Sequence, residues 1–148
     1  MSIDKTVTKD LVETLRDGET GFAKAADKLA SSDKAAWAQS FRRLSAQRTE
    51  FAAELEALGA AYGDDVAESG SLVAKAHRGW MAVKDTFSGS DAGGVVDAAV
   101  SGENHTVSEY EDALTKDLSD GLRVVVERQA AAVKLARDEV KALQATTG

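Results

Sequence analysis

A heptad repeat near the middle of the chain most constrains how this sequence can fold. From Trp37 to Tyr62, apolar residues recur at alternating steps of four and three, and Arg48 interrupts them once. On an α-helix this spacing keeps the side chains on one face, so the stretch predicts a long helix whose apolar seam packs against partner helices. The seam consists of Trp37, Phe41, Leu44, Arg48, Phe51, Leu55, Leu58 and Tyr62. Because a buried guanidinium keeps its charge, we expect other helices to place carboxylates or carbonyl groups opposite Arg48.

Composition favours an all-α fold in a single domain that spans residues 1–148. The chain lacks proline and is rich in good helix formers. Its 18 basic and 25 acidic residues give a net charge of −7, spread along the sequence. Nucleic acid and anionic membranes are therefore not expected as partners. The absence of cysteine excludes disulfides and thiol chemistry.

Similar seams predict further helices on either side of the central one. The long helices are expected at about 8–30, 34–62, 92–116 and 121–144, with a short helix at about 71–87. Short turns after the first and third long helices make each pair antiparallel neighbours. The connection between the pairs is long enough to cross the length of a bundle. His77, in the short helix, either acts as a ligand or proton carrier or packs at the margin of an apolar face.

Each long helix carries one polar residue near the middle of its seam. These residues are Glu19, Arg48, Glu103 and Gln129. Glu19 is either buried against Arg48 or a metal ion, or reaches water beside Leu15. The simplest interpretation is a buried polar layer, in which Arg48 bridges both glutamates and Gln129 satisfies the remaining donors and acceptors. Such a layer fixes the register of the bundle, because sliding one helix by a turn leaves charges unpaired.

Several short phrases accompany this order of helices, including Glu-Ser-Gly-Ser at 68–71 and His-Arg-Gly-Trp at 77–80. Others lie at 17–19, 47–55 and 127–129. With these phrases the chain resembles, over nearly its whole length, a bacterial ferritin-like family that is a domain of unknown function. The resemblance implies a ferritin-like four-helix bundle with a short crossover helix between the helix pairs. It implies no settled activity.

Iron-binding ferritin-like proteins hold their metals with one glutamate from each of two helices and a Glu-x-x-His from each of the other two. Glu19 and Glu103 match the single glutamates, whereas the last helix has Glu127 without the histidine. Arg48 competes for the same carboxylate oxygens and repels a dication, so we expect no metal and no cofactor. The alternative is a carboxylate site for di-iron or manganese, formed by Glu19 and Glu103 with help from Glu54.

Two functional hypotheses remain open. The first is a non-catalytic cytoplasmic bundle, stress-related or partner-binding, whose polar layer is structural. The second is a protein that binds or oxidises iron or manganese. Catalysis is not expected, because the sequence lacks a phosphate-binding glycine loop, cysteine and a convincing Ser-His-Asp set.

The cytoplasmic location is expected because the first residues lack signal-peptide features and no run approaches the ~20 apolar residues that span a bilayer. A homo-oligomer is compatible with Ala130–Ala132, whose small side chains permit close packing of another helix or subunit.

Overall fold

The computed structural model describes residues 3–61 and 92–147 of the chain. These residues form α-helices joined by short turns and contain no β-strand, which confirms the all-α prediction for them. The first helix begins earlier than the predicted start near residue 8. The predicted short helix at 71–87, with His77, lies outside the described residues, as does Tyr62. The helices are α1 (Ile3–Ala30), α2 (Trp37–Ala61), α3 (Ala92–Leu114) and α4 (Asp120–Thr147).

The turn between α1 and α2 is built by serine hydroxyl and backbone groups. The amide of Ser32 donates to the carbonyl of Leu29 at 3.0 Å, and its hydroxyl donates to the same carbonyl at 2.7 Å. The Ser32 hydroxyl oxygen also accepts from the amide of Lys34 at 3.0 Å. Serine thus satisfies backbone groups that the end of α1 leaves unpaired. The chain reverses within a few residues, so α1 and α2 are antiparallel.

The turn between α3 and α4 is fixed by side chains from two helices, α4 and α1. The guanidinium of Arg123 donates to the carbonyls of Leu114 and Lys116 at 3.2 and 2.7 Å. A cation at this position also interacts favourably with the negative end of the α3 dipole. Asp4, in the first turn of α1, accepts a hydrogen bond from the amide of Ser119 at 3.0 Å. The start of α1 is thereby attached to the turn.

The helices pack as a bundle with close α1–α2, α1–α3 and α3–α4 contacts. One cluster of buried apolar residues combines the carboxyl end of α1, the amino ends of α2 and α3 and the carboxyl end of α4. A second cluster combines the opposite ends of the same helices. Neighbouring helices are therefore antiparallel, while α2 and α3 run parallel on a diagonal. Ala61 and Ala92, which flank the connection between the helix pairs, lie at opposite ends of the bundle.

Polar side chains lie where the two apolar clusters meet. On α2, Arg48 is between Leu44 of one cluster and Ala52 of the other; on α3, Glu103 is between Val100 and Val107. The bundle thus has apolar packing at both ends and charged groups near its middle. None of the helices described has an apolar stretch long enough to cross a membrane.

Candidate functional site

The centre of the bundle contains a buried ion pair between α2 and α3. Arg48 donates from Nη1 and Nη2 to the two carboxylate oxygens of Glu103, at 2.6 and 2.7 Å. Both side chains are 0% exposed. The planar guanidinium matches the carboxylate with two parallel hydrogen bonds, an arrangement that a lysine could not form. Both oxygens of Glu103 are therefore engaged by one cation.

The rest of the Arg48 side chain is enclosed by α1 and by its own helix. Its guanidinium carbon lies 5.1 Å from the centre of the Phe22 ring, within the range of a cation–π contact. Phe22 in turn packs edge-on against Phe41, with ring centres 5.5 Å apart. Nε of Arg48 donates to Gln47 at 3.1 Å. A Cβ atom added to Gly18 would lie 3.5 Å from Nη1, so α1 passes beside the guanidinium at this residue.

Glu19 is located apart from Arg48, contrary to the bridging role expected from the sequence. Its side chain is 32% exposed, and Oε1 accepts from Arg16 at 3.2 Å. Oε2 accepts from the hydroxyl of Thr49 at 2.6 Å. Arg16 also pairs with Glu56 at 2.7 Å. Partial burial lowers the pKa of Arg16, but Glu19 and Glu56 outweigh this effect and leave the pKa above its ordinary value. Glu19 thus belongs to a half-buried ion-pair network between α1 and α2.

Gln129 is 0% exposed and forms a separate hydrogen-bonded group with α2 and α3. Its Oε1 accepts from the hydroxyl of Tyr110 at 2.7 Å, and its Nε2 donates to Glu54 at 2.8 Å. Nε2 also donates to the carbonyl of Phe51 at 3.3 Å. Burial raises the pKa of the Tyr110 hydroxyl, because the ionised form would lose its hydration. The hydroxyl is therefore held in its protonated, donating form.

The carboxylates proposed as metal ligands are distributed among these three groups. Glu103 pairs with Arg48, Glu19 with Arg16 and Thr49, and Glu54 with Gln129. Glu54 also pairs with Arg128 on the surface. Within residues 3–61 and 92–147, no three His, Cys, Asp or Glu side chains are grouped so that they could hold a metal ion. The donors that the sequence suggested as one set are thus engaged by different cations and amides.

A cleft between α1 and α3 is too small for an organic substrate. Its volume is about 50 Å³, and it is lined by Val7, Leu11 and Ala113 with charged groups around them. Ligand pockets usually measure ~300–1,000 Å³, whereas a volume of this size holds only a few water molecules. The charged groups are Asp10, Glu109, Asp112 and Lys116.

Sequence reasoning overlooked several members of the polar groups. Tyr110 lies on the buried face of α3 and has no place in the predicted polar layer, although a buried tyrosine hydroxyl needs a hydrogen-bond partner. The sequence prediction gives Glu54 only a helping role in the alternative metal site. Arg16 and Thr49 carry no signal in the heptad pattern, because they lie beside the seams and act on Glu19 from their flanks.

The fold and these contacts define an all-helical bundle with hydrogen-bonded polar groups in its core. The chain belongs to the family described as a domain of unknown function, DUF2383, whose model matches residues 6–116. This match confirms the resemblance to a family of unknown function, and it includes Arg48 and Glu103 but ends before α4 begins. No curated protein and no solved structure gives a significant match to the chain.

Proposed function

We propose that the protein is a non-catalytic, ferritin-like four-helix bundle that binds a partner, with a structural ion pair at its centre. The observation that carries the non-catalytic, structural part of this proposal is the contact between Arg48 and Glu103. Both oxygens of the glutamate are occupied by the guanidinium, at 2.6 and 2.7 Å, in a site from which solvent is excluded. A dication at this position would have to displace a fixed positive charge and would leave that charge buried without a partner.

The ferritin-like part of the proposal is supported by the direction of the helices. In the described bundle all neighbouring helices are antiparallel, and α2 and α3 are parallel, so the connection between Ala61 and Ala92 joins opposite ends. Bundles of the ferritin-like class have one such long crossover between two hairpins. A stress-related role and a cytoplasmic location stay predictions.

Metal loading tests the non-catalytic assignment directly. The purified protein is incubated anaerobically with Fe(II) or Mn(II), freed of excess metal, and subjected to elemental analysis, with iron oxidation followed after air is admitted. We expect retained metal far below one equivalent per chain and no acceleration of iron oxidation over buffer.

Variants of partly exposed glutamates separate a specific site from surface adsorption. Glu19→Gln and Glu54→Gln remove the two accessible carboxylates of the alternative site, and Glu50→Gln is the matched control on the exposed face of α2. About two equivalents of metal, retained in Glu50→Gln and lost in the other two variants, would replace the proposal with the iron or manganese alternative.

A further inference from the structure

The outer face of α4 carries a second heptad stripe that points to solvent. Val124, Arg128, Ala131 and Leu135 follow one another at steps of four, three and four, as in a coiled-coil seam. Val124 is 64% exposed and Leu135 is 71% exposed, and both are large apolar side chains. Ala131 between them is exposed too. The core of the bundle does not use this stripe, since α4 contributes other residues to it, such as Val126 and Val133.

We propose that this stripe is the interface through which two copies of the chain form an antiparallel α4–α4 homodimer. A symmetric dimer brings the same surface of each copy together, so the stripe must be complementary to itself. This condition is satisfied by a two-fold axis that lies in the interface, perpendicular to α4, at the level between Gln129 and Ala130. It sets Val124 of each copy against Leu135 of the other and lets the two helices approach closely at Ala131.

The charges beside the stripe are self-complementary about the same axis. Asp120, Glu127, Lys134 and Lys141 lie along one flank of the stripe at steps of seven. The two-fold operation places this flank of α4 beside the same flank of α4 in the second copy. Glu127 then faces Lys134 of the other copy, and Asp120 faces Lys141, each pair occurring twice. In a parallel dimer this flank would instead adjoin the opposite flank of the second copy, and neither of these charge pairs would form, so the charge pattern favours the antiparallel dimer.

The existing contacts of these side chains are compatible with the dimer. Lys134 lies 3.8 Å from Glu111, and both side chains are solvent-exposed, so this weak pair can exchange for Glu127 of a second copy. Arg128, the charged member of the stripe, lies beside the two-fold axis and opposite Ala131 of the other copy, and its charge is neutralised there by the ion pair with Glu54 of α2. With 28 residues, α4 extends about 42 Å and provides a long contact surface. This inference is independent of the proposed absence of catalysis.

Engineered cysteines test the register, because the chain contains no cysteine of its own. In the proposed dimer, Val124→Cys/Leu135→Cys places each cysteine opposite its counterpart in the other copy. The two positions lie about 16 Å apart along one helix, too far for a disulfide within a chain. We expect the double variant to form a covalent dimer on mild oxidation, and each single variant to stay uncrosslinked. Equal crosslinking of the single variants, or none in the double variant, would overturn the arrangement.

Charge exchange supplies a second test with folded, uncrosslinked protein. Glu127→Lys should raise the dissociation constant of the dimer about tenfold in sedimentation equilibrium, because two repulsive contacts replace two attractive ones. The exchange variant Glu127→Lys/Lys134→Glu should recover most of the wild-type affinity. A wild-type chain that sediments as a monomer, or an exchange variant no better than the single variant, contradicts the proposal.

Discussion

The guanidinium of Arg48 and the carboxylate of Glu103 form paired hydrogen bonds of 2.6 and 2.7 Å across the diagonal of the bundle. Arg48 belongs to the α1–α2 hairpin and Glu103 to the α3–α4 hairpin, so the pair links the two halves of the chain. Removing two charges from water costs several kcal/mol per ion. The well-oriented hydrogen bonds of the pair compensate for this cost but add little net stability. We therefore expect the pair to determine the register of α2 and α3 more than the net stability.

Removing the cation alone should strongly destabilise the fold. Arg48→Ala leaves Glu103 buried without a partner, and we expect the free energy of unfolding to fall by roughly 3–5 kcal/mol. Arg43→Ala is the matched control, because Arg43 pairs with Glu139 on the surface and its side chain is 59% exposed. That substitution should cost only about 0–1 kcal/mol. Urea denaturation of both variants measures the difference, and similar values would contradict a structural role for Arg48.

Replacing both charges should cost much less than removing one. In Arg48→Met/Glu103→Leu, no charge is buried and the volume is approximately kept, so we expect stability within about 1–2 kcal/mol of the wild type or above it. The measurement is the same denaturation experiment, with the single variants completing a double-mutant cycle. A double variant as unstable as Arg48→Ala would show that packing, and not charge pairing, dominates at this position.

Gly18 offers a way to stabilise α1 without disturbing the ion pair. A Cβ atom at this position would lie 3.5 Å from Nη1 and 3.6 Å from Cγ of Arg48, which are ordinary contact distances. Gly18→Ala should therefore raise stability by about 0.5–1 kcal/mol through helix propensity. Gly18→Leu should lower the melting temperature, because a larger side chain overlaps Arg48. Thermal unfolding of the two variants, which should shift in opposite directions, tests this contact.

Tyr110 should make the protein sensitive to alkaline pH. Its pKa is raised by burial, so the folded state holds the proton more tightly than the unfolded chain. The contribution of Tyr110 to stability is complete below pH ~10, the ordinary tyrosine pKa, and is lost as the pH rises further. Tyr110→Phe cannot lose a proton, so its stability deficit relative to the wild type should shrink above this pH. Parallel declines of both proteins in alkaline denaturation would exclude the effect.

The heptad spacing identified the inward faces of the long helices well, because burial follows the helical period. Arg48, Glu103 and Gln129 all fall on those faces and are 0% exposed. Glu19 is not buried in this way. The heptad spacing does not distinguish it from its neighbour Gly18, and in the structure it is Gly18 that lies against Arg48. The heptad seam gives the one direction in which a helix faces the core. A helix packed against two close neighbours buries side chains over a wider arc of its circumference than the seam itself.

The pairing of the polar groups could not be read from the sequence. Spacing predicts the level and face of a side chain on its helix, but a flexible side chain several carbons long can select among partners at neighbouring levels. Gln129 bonds Tyr110 and Glu54 rather than the central ion pair. These choices depend on rotamers and on which hydroxyl lies within about 3 Å, a scale finer than the heptad pattern.

The contact between the two hairpins bears on how cooperatively the chain folds. Each hairpin closes over a short turn and can form from local contacts, whereas Arg48 meets Glu103 only when the hairpins dock. Before docking, each hairpin has one of these two charged side chains on the face that the other hairpin will cover. A partly docked state would bury apolar surface, but it would also remove a charge from water without its partner. Unfolding observed by NMR signals from α1–α2 and from α3–α4 should therefore coincide. Neither hairpin is then a stable folding unit without the other.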